Sequence, residues 1–346
     1  MGHDPAVTSS PSGPDVLAVG SYTAATGGRG AGVTLLPRDP RTGRLGRPGL
    51  VEGCSSPSFL AAGAPGTGLV HAAHELDEGR VSTRRFDGRA WELRGESPSG
   101  GASPCHLTLA GEFLLAANYG GGVGVLDLDG GAVRGLRQTL RGEGSGPDTD
   151  RQDASHPHST RLLGDDAFAV LDLGTDEVRV HALDAAGASP EPVQVLDLAP
   201  GTGPRHAVVD GDRLHVVGEL DVTVTSFALR AGRLSDPVVT PALAGPGPAA
   251  GRVHPSEVAR APWGLVVAHR GADVLTLLDL VDGVPRPVRD VAIGARNPRH
   301  VLVLGHHLYV AAQDSDLVVH LTLGEDLSVV DRSAVEVGSP TCVLPL

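Results

Sequence analysis

Arginine, histidine and glutamate recur in this chain at the two ends of short apolar runs. Ahead of such runs stand His106, His156, His158, Arg205, His206, His254, Glu257, Arg299 and His300. Behind others stand Glu75, Asn118, Tyr119, Asp172, Glu219, His269, Arg270 and Asp314. An imidazole takes or gives a proton near neutral pH. A guanidinium grips phosphate or carboxylate with two parallel donors and steadies a developing oxyanion. A carboxylate beside them acts as a second base or holds the base in place. Gathered by a fold, these residues would form a pocket for a small anion with a proton acceptor at hand.

The elements that must gather them are visible as an internal repeat. A proline, usually preceded by Ser, Gly, His or Asn, opens a polar step and then a strand-like apolar run. It does so at Pro57, Pro104, Pro157, Pro204, Pro255, Pro298 and Pro340, at intervals of 42 to 53 residues. A second apolar run with a polar tip follows each of the first six, as at 113–120 and 264–271, and a third follows after a Gly/Asp turn. A weaker fourth run often closes the unit, as at 192–198. Alternating β-branched runs joined by tight turns read as antiparallel up-and-down strands. Four-stranded units repeated seven times, each too thin to bury its own faces, predict an all-β fold, a seven-bladed β-propeller. In such a ring the start of each first strand and the end of each second lie on the same face of the disc. The polar residues above are therefore expected to line one funnel at the central channel.

The two ends of the repeat complement each other. The last copy, at 339–346, has a first strand only, whereas the first segment, at 15–39, lacks a first strand and supplies the second and third. One blade built from both termini closes the ring without a free edge. The expected organisation is a disordered tail over 1–14 and a single domain over 15–346. Two insertions, 141–155 and 241–252, enter the funnel face because each precedes a first strand. Loops of this length are disordered excursions or functional lids. The first carries Arg151 and Gln152 beside His156 and His158 and is read as a lid.

Composition narrows the partner. With 28 basic and 41 acidic side chains the net charge is −13, and every basic side chain is arginine. This balance argues against nucleic acid or an anionic membrane surface as partner. Cys54, Cys105 and Cys342 are three and widely spaced, which fits neither a disulfide framework nor a zinc site; Cys105 reads as a buried filler. The first fourteen residues carry no basic and apolar signal, and no apolar stretch approaches the roughly 18 residues of a membrane helix. A cytoplasmic chain is expected. A calcium ring from Glu75, Asn118, Asp172 and Glu219 is conceivable on ligand type, but neighbouring arginines would repel a cation, so no metal is expected. There is no G-x-S-x-G elbow, which argues against a serine nucleophile.

These motifs resemble the lactonase family of seven-bladed propellers, of which the propeller-type 6-phosphogluconolactonases and the related carboxymuconate lactonising enzymes are branches. The matching segments are GSYT (20–23), SPSFL (56–60), SPCH (103–106) with AANYGGG (116–122), and RQ with HPHS (151–159). They continue as GPRH (203–206) with GEL (218–220), SEV (256–258) with HRG (269–271), and NPRH (297–300) with QDSD (313–316). The resemblance implies His158, Arg205, Glu219 and Arg270 as catalytic residues, with Gly218 and His269 standing where the family usually has Asn. It further implies a cofactor-free hydrolase that opens a small anionic lactone, 6-phospho-D-glucono-1,5-lactone foremost. The alternatives are a cycloisomerase acting on a carboxylated lactone and a non-catalytic scaffold. His156, Arg151, His106, Asn118, Tyr119, His206, Glu257 and Arg299 are expected to line the substrate, with His106, His206 and His300 also suited to holding the blades together.

Overall fold

Strand-forming runs and tight turns account for nearly all of the chain in the computed structural model, which describes residues 15–346. The tail expected over 1–14 lies outside the described residues. Seven antiparallel sheets follow one another around a ring. Blade 1 takes its innermost strand, Pro340–Pro345, from the end of the repeat and continues with Val16–Ser21, Val33–Pro37 and the short Val51–Glu52. Blades 2 to 7 begin with Pro57–Ala62, Ala102–Ala110, Pro157–Leu162, Pro204–Asp210, His254–Ala261 and Pro298–Leu304. Each then runs outward through three further strands, except that the outermost position of blade 4 is shared by Gly187–Ala188 and Gln194–Asp197. The only helical pieces among the described residues are two three-residue 3₁₀ turns, Ala24–Thr26 and Gln313–Ser315.

Apolar residues alternate along the inner strands and pack between blades rather than into one central core. Leu17, Val19, Leu36 and Val343 of blade 1, for example, meet Tyr309, Ala311 and Val318 of blade 7. Ala169, Leu171 and Val178 of blade 4 meet Leu214, Val216 and Phe227 of blade 5. Seven such layers, one per blade junction, leave the axis to polar side chains. Blades approach so closely at the axis that a methyl group on Gly20 would collide with the Pro57 carbonyl.

The recurring proline marks a backbone device. In five blades the residue before it is left-handed: Ser56, Ser103, Gly203, Asn297 and Ser339 have φ between 40° and 60°. Gly and Asn tolerate that region, which explains their recurrence there. Ser56 and Ser339 use their hydroxyls at the same turn, accepting from Thr23 N at 3.2 Å and Arg29 N at 3.0 Å. Immediately after the proline the register slips in blades 2 to 7. Such a bulge re-aims side chains. In blade 5 it sends two consecutive residues toward the axis, Arg205 to Glu219 and His206 to Glu257.

Candidate active site

Glu219 is the centre of the funnel mouth. It follows the second strand of blade 5, Arg213–Gly218, and its own N–H donates to Gly203 O at 2.8 Å. Its carboxylate is completely buried and lies among three guanidiniums from three different segments. Arg205 Nε is 2.8 Å from Oε2, Arg270 Nη2 is 2.9 Å from Oε2, and Arg151 Nη1 is 2.7 Å from Oε1. His254 Nδ1 stands 4.0 Å from Oε1. Burial works to raise the pKa of Glu219, but Arg270, Arg205 and Arg151 outweigh it and hold the carboxyl far below the usual range. A carboxylate so clasped is a very weak base; its part is to fix three cations that would otherwise repel one another.

Burial and Arg270 together bring Arg205 down to about 10, which leaves it protonated at neutral pH. Its Nη1 is a buried donor without a hydrogen-bond partner among the described residues, and so is Arg270 Nε. Across the mouth, Arg299 Nη2 donates to Tyr22 Oη at 2.6 Å and lies 3.7 Å from Glu75 Oε2. Four guanidiniums against the carboxylates of Glu219 and Glu75 leave the mouth cationic within an acidic protein, a setting that draws small anions.

His158 lies beside this cluster. Its Nδ1 is 3.9 Å from the Cys105 thiol, and its ring sits edge-on to Tyr119 at 5.9 Å and to His206 at 5.3 Å. Burial first, then Arg205 and His206, drive its pKa well below that of a free imidazole, so it is neutral at pH 7. His156 stacks on Tyr119 at 4.3 Å and shares Asp153 and the Tyr119 carbonyl. Deeper along the axis, Phe59, His106 and His206 pack edge and face. There His206 Nδ1 lies 3.0 Å and His300 Nε2 3.5 Å from Glu257 Oε2.

The expected residues divide accordingly. Arg151, His158, Arg205, Glu219, Arg270, Arg299, Tyr119 and His156 meet at the mouth, whereas His106, His206 and Glu257 form a layer beneath it. Asn118 is a correction to its expected place against the substrate. Its amide donates to the carbonyls of Ser99, Ala116 and Gly122, each at 3.1 Å, and so braces a turn. His269 faces away from the mouth, with Nε2 on Ala242 O at 3.1 Å, because strand alternation sends it and Arg270 to opposite sides. Asp172 is taken up by Arg179 at 2.5 Å and by His156 N at 2.7 Å.

The 141–155 insertion is tied down rather than loose. Buried Gln152 donates to Leu173 O at 2.9 Å and Asp176 Oδ1 at 2.8 Å, which aims the neighbouring Arg151 inward. Asp176 is a positioning residue that sequence reasoning missed. It also accepts from Gly201 N at 2.7 Å and Gly203 N at 2.6 Å, so one carboxylate joins the segment carrying Arg151 to the turn preceding Arg205. The sole advance signal was its place in a Gly/Asp turn. Tyr22 and Glu75 were likewise not foreseen as partners of Arg299, because blades 7 and 1 meet only through ring closure. The second insertion reaches the first through Arg252 and Asp148 at 2.9 Å. A cavity of about 500 Å³ lined by Arg85, Arg94 and Arg134 lies on the opposite face, away from these groups.

Known proteins of similar sequence and shape agree with this architecture. A candidate 6-phosphogluconolactonase of Arthroderma benhamiae is 30% identical over 227 residues, which cover 61% of this chain and 56% of that protein. An uncharacterised Lactococcus lactis protein is 29% identical over 59% of this chain and 61% of its own length. The chain thus spans little more than half the length of the curated relatives it matches. Solved structures align almost end to end. A candidate 6-phosphogluconolactonase of Bacteroides fragilis superposes with a TM-score of 0.86 at 25% identity, covering 98% of this chain and 99% of that one. A periplasmic gluconolactonase of Pseudomonas aeruginosa does so with 0.85 at 27% identity, covering 95% and 98%. No helix among the described residues is long and apolar enough to cross a membrane. The model of the seven-bladed β-propeller lactonases matches residues 16–345, and the chain belongs to that family.

Proposed function

We propose that this chain hydrolyses a phosphorylated sugar δ-lactone, 6-phospho-D-glucono-1,5-lactone, to 6-phosphogluconate without a cofactor. The observation that carries this reading is the convergence of Arg151, Arg205 and Arg270 on buried Glu219, with donors left over for an anion. In the proposed reaction water attacks the lactone carbonyl carbon, and the carbonyl oxygen becomes an oxyanion facing a guanidinium. Collapse of that intermediate breaks the bond to the ring oxygen, which takes up a proton, and leaves the carboxylate product. His158 is the group suited to accept the proton from water, since its imidazole is uncharged while both oxygens of Glu219 are engaged by guanidiniums. The reading draws support from relatives named as candidate 6-phosphogluconolactonases. It assigns the chain to the pentose phosphate pathway and to the cytoplasm, where a phosphorylated sugar is confined by its charge.

A carboxylated lactone would also satisfy guanidinium forks, so the test compares both substrates. The purified protein is assayed with freshly generated 6-phosphogluconolactone and with carboxymuconolactone, each corrected for spontaneous opening. Faster turnover of the phosphorylated sugar, abolished in Arg205→Ala, supports the proposal. Turnover of the carboxylated compound alone overturns the substrate, and turnover of neither favours a scaffold.

A further inference from the structure

The mouth has two chemically different halves. Blades 5 and 6 and the first insertion supply the arginines around Glu219. Blades 7, 1 and 2 supply Arg299, Tyr22 and Glu75, linked differently. Tyr22 Oη donates to Glu75 Oε1 at 2.7 Å while accepting from Arg299 Nη2 at 2.6 Å, and the Arg299 guanidinium lies over the Tyr22 ring at 4.9 Å. Glu75 Oε2 is left as a buried acceptor without a hydrogen-bond partner among the described residues. Tyr22 and Glu75 open onto a cleft of about 410 Å³ lined also by Thr26, Asp77 and Ser103. The loop carrying Tyr22 is fixed to blade 2, since Ser56 Oγ lies 2.7 Å from Thr26 Oγ1 and 3.3 Å from Thr23 Oγ1.

This half is poorly suited to an anion, because Glu75 and Asp77 would repel it, and poorly suited to a cation, because Arg299 stands against Glu75. A neutral group with several hydroxyls fits. A carboxylate oxygen accepts from an O–H, and the Ser, Thr and Tyr hydroxyls both give and accept. We propose that the Tyr22–Glu75–Arg299 group and its cleft bind the hydroxyl groups of a polyol substrate whose anionic end is held by Arg151, Arg205 and Arg270. The inference rests on the lactonase reading above and names the half of the site that selects for sugar. A site built to bond hydroxyls discriminates strongly against an analogue lacking them, because its buried polar groups are then left unpaired.

Calorimetric titration of the whole chain tests this with two defined probes, 6-phosphogluconate and 6-phosphohexanoate, which share both anionic ends and differ in hydroxyls. The wild type is expected to bind the hydroxylated probe about tenfold more tightly or better. Glu75→Gln and Tyr22→Phe should bring that ratio close to one, with Arg205→Ala weakening both. Tyr22→Phe keeps the ring under Arg299 and gives a reading even where Glu75→Gln folds poorly. A wild type that binds both probes equally, or variants that keep the wild-type ratio, overturns this inference alone. A wild type that binds neither overturns the anion site and this inference with it.

Discussion

Arg205 and Glu219 meet across a single hairpin, Nε to Oε2 at 2.8 Å, with no more than 2% of either side chain exposed. The bulge after Pro204 turns Arg205 inward, and the turn after Gly218 brings Glu219 to it. Removing one member of such a buried pair leaves the other charge without compensation.

Glu219→Gln is therefore expected to destabilise the fold by about 3–5 kcal/mol and to lower kcat/KM by about 100-fold. The sign of the pH dependence follows from its depressed folded-state pKa. The stabilisation is present above the unfolded value, about 4.3, and is lost as pH falls through the folded one. Denaturant titrations at neutral and acid pH should show the variant already weakened at neutrality, with less further loss than the wild type on acidification. An unchanged neutral midpoint would contradict the role given to Glu219.

Arg205→Lys keeps the charge and discards the fork. A lysine cannot face Glu219 and an anion with parallel donors. A loss of about 10- to 100-fold in kcat/KM, larger than any change in melting temperature would explain, is expected from steady-state assays.

Asp176 tests whether the first insertion must be held in place. Asp176→Asn keeps a residue able to adopt φ of 58° but weakens the three bonds to Gln152, Gly201 and Gly203. Stability should fall by about 1–3 kcal/mol, and activity about tenfold as Arg151 and Arg205 lose their common brace. Full activity would show that the insertion needs no anchoring.

Many imidazoles are buried in uncharged form. Burial pushes His71, His215 and His269 down to about 4. It also lowers His300, and drives His106, His158 and His206 well below the ordinary value. For a depressed imidazole the unfolded chain binds more protons, so its stabilisation is present above about pH 6.5 and is lost on acidification. Glu257, raised by burial, acts in the opposite sense as pH rises through its folded value. The seven histidines outnumber the two carboxyls that burial raises, Glu257 and Asp221, and predict a lower urea midpoint at pH 5 than at pH 7.

Thiol chemistry should be silent in the native state. Burial pushes Cys105 and Cys342 up to about 12 and Cys54 up to about 11, so none is a thiolate near neutrality. Iodoacetamide at pH 8 should label the native chain far more slowly than the urea-unfolded chain, as read by intact mass.

The ring was legible because its seven prolines mark a backbone need where blades begin: a bulge after the proline, with a left-handed residue before it in five of the seven. Arg205, Arg270 and Glu219 could be placed on one face because the period fixes which strand ends share it. Parity was less visible. Whether Asn118 or His269 looks into the channel depends on strand alternation and turn geometry at each blade. The Tyr22–Glu75–Arg299 contact joins three blades, and Asp176 does its work through backbone N–H groups, which no pattern of side-chain types reveals.

Strand Val16–Ser21 lies between Pro340–Pro345 and Val33–Pro37, so blade 1 cannot be peeled away from one end. Open arrays of repeats fray from their terminal units one at a time. Here the first rupture must separate segments more than 300 positions apart and break two blade junctions at once. Melting in one concerted step, with Arg299 and Tyr22 parting only as the circle itself gives way, is the behaviour this closure imposes.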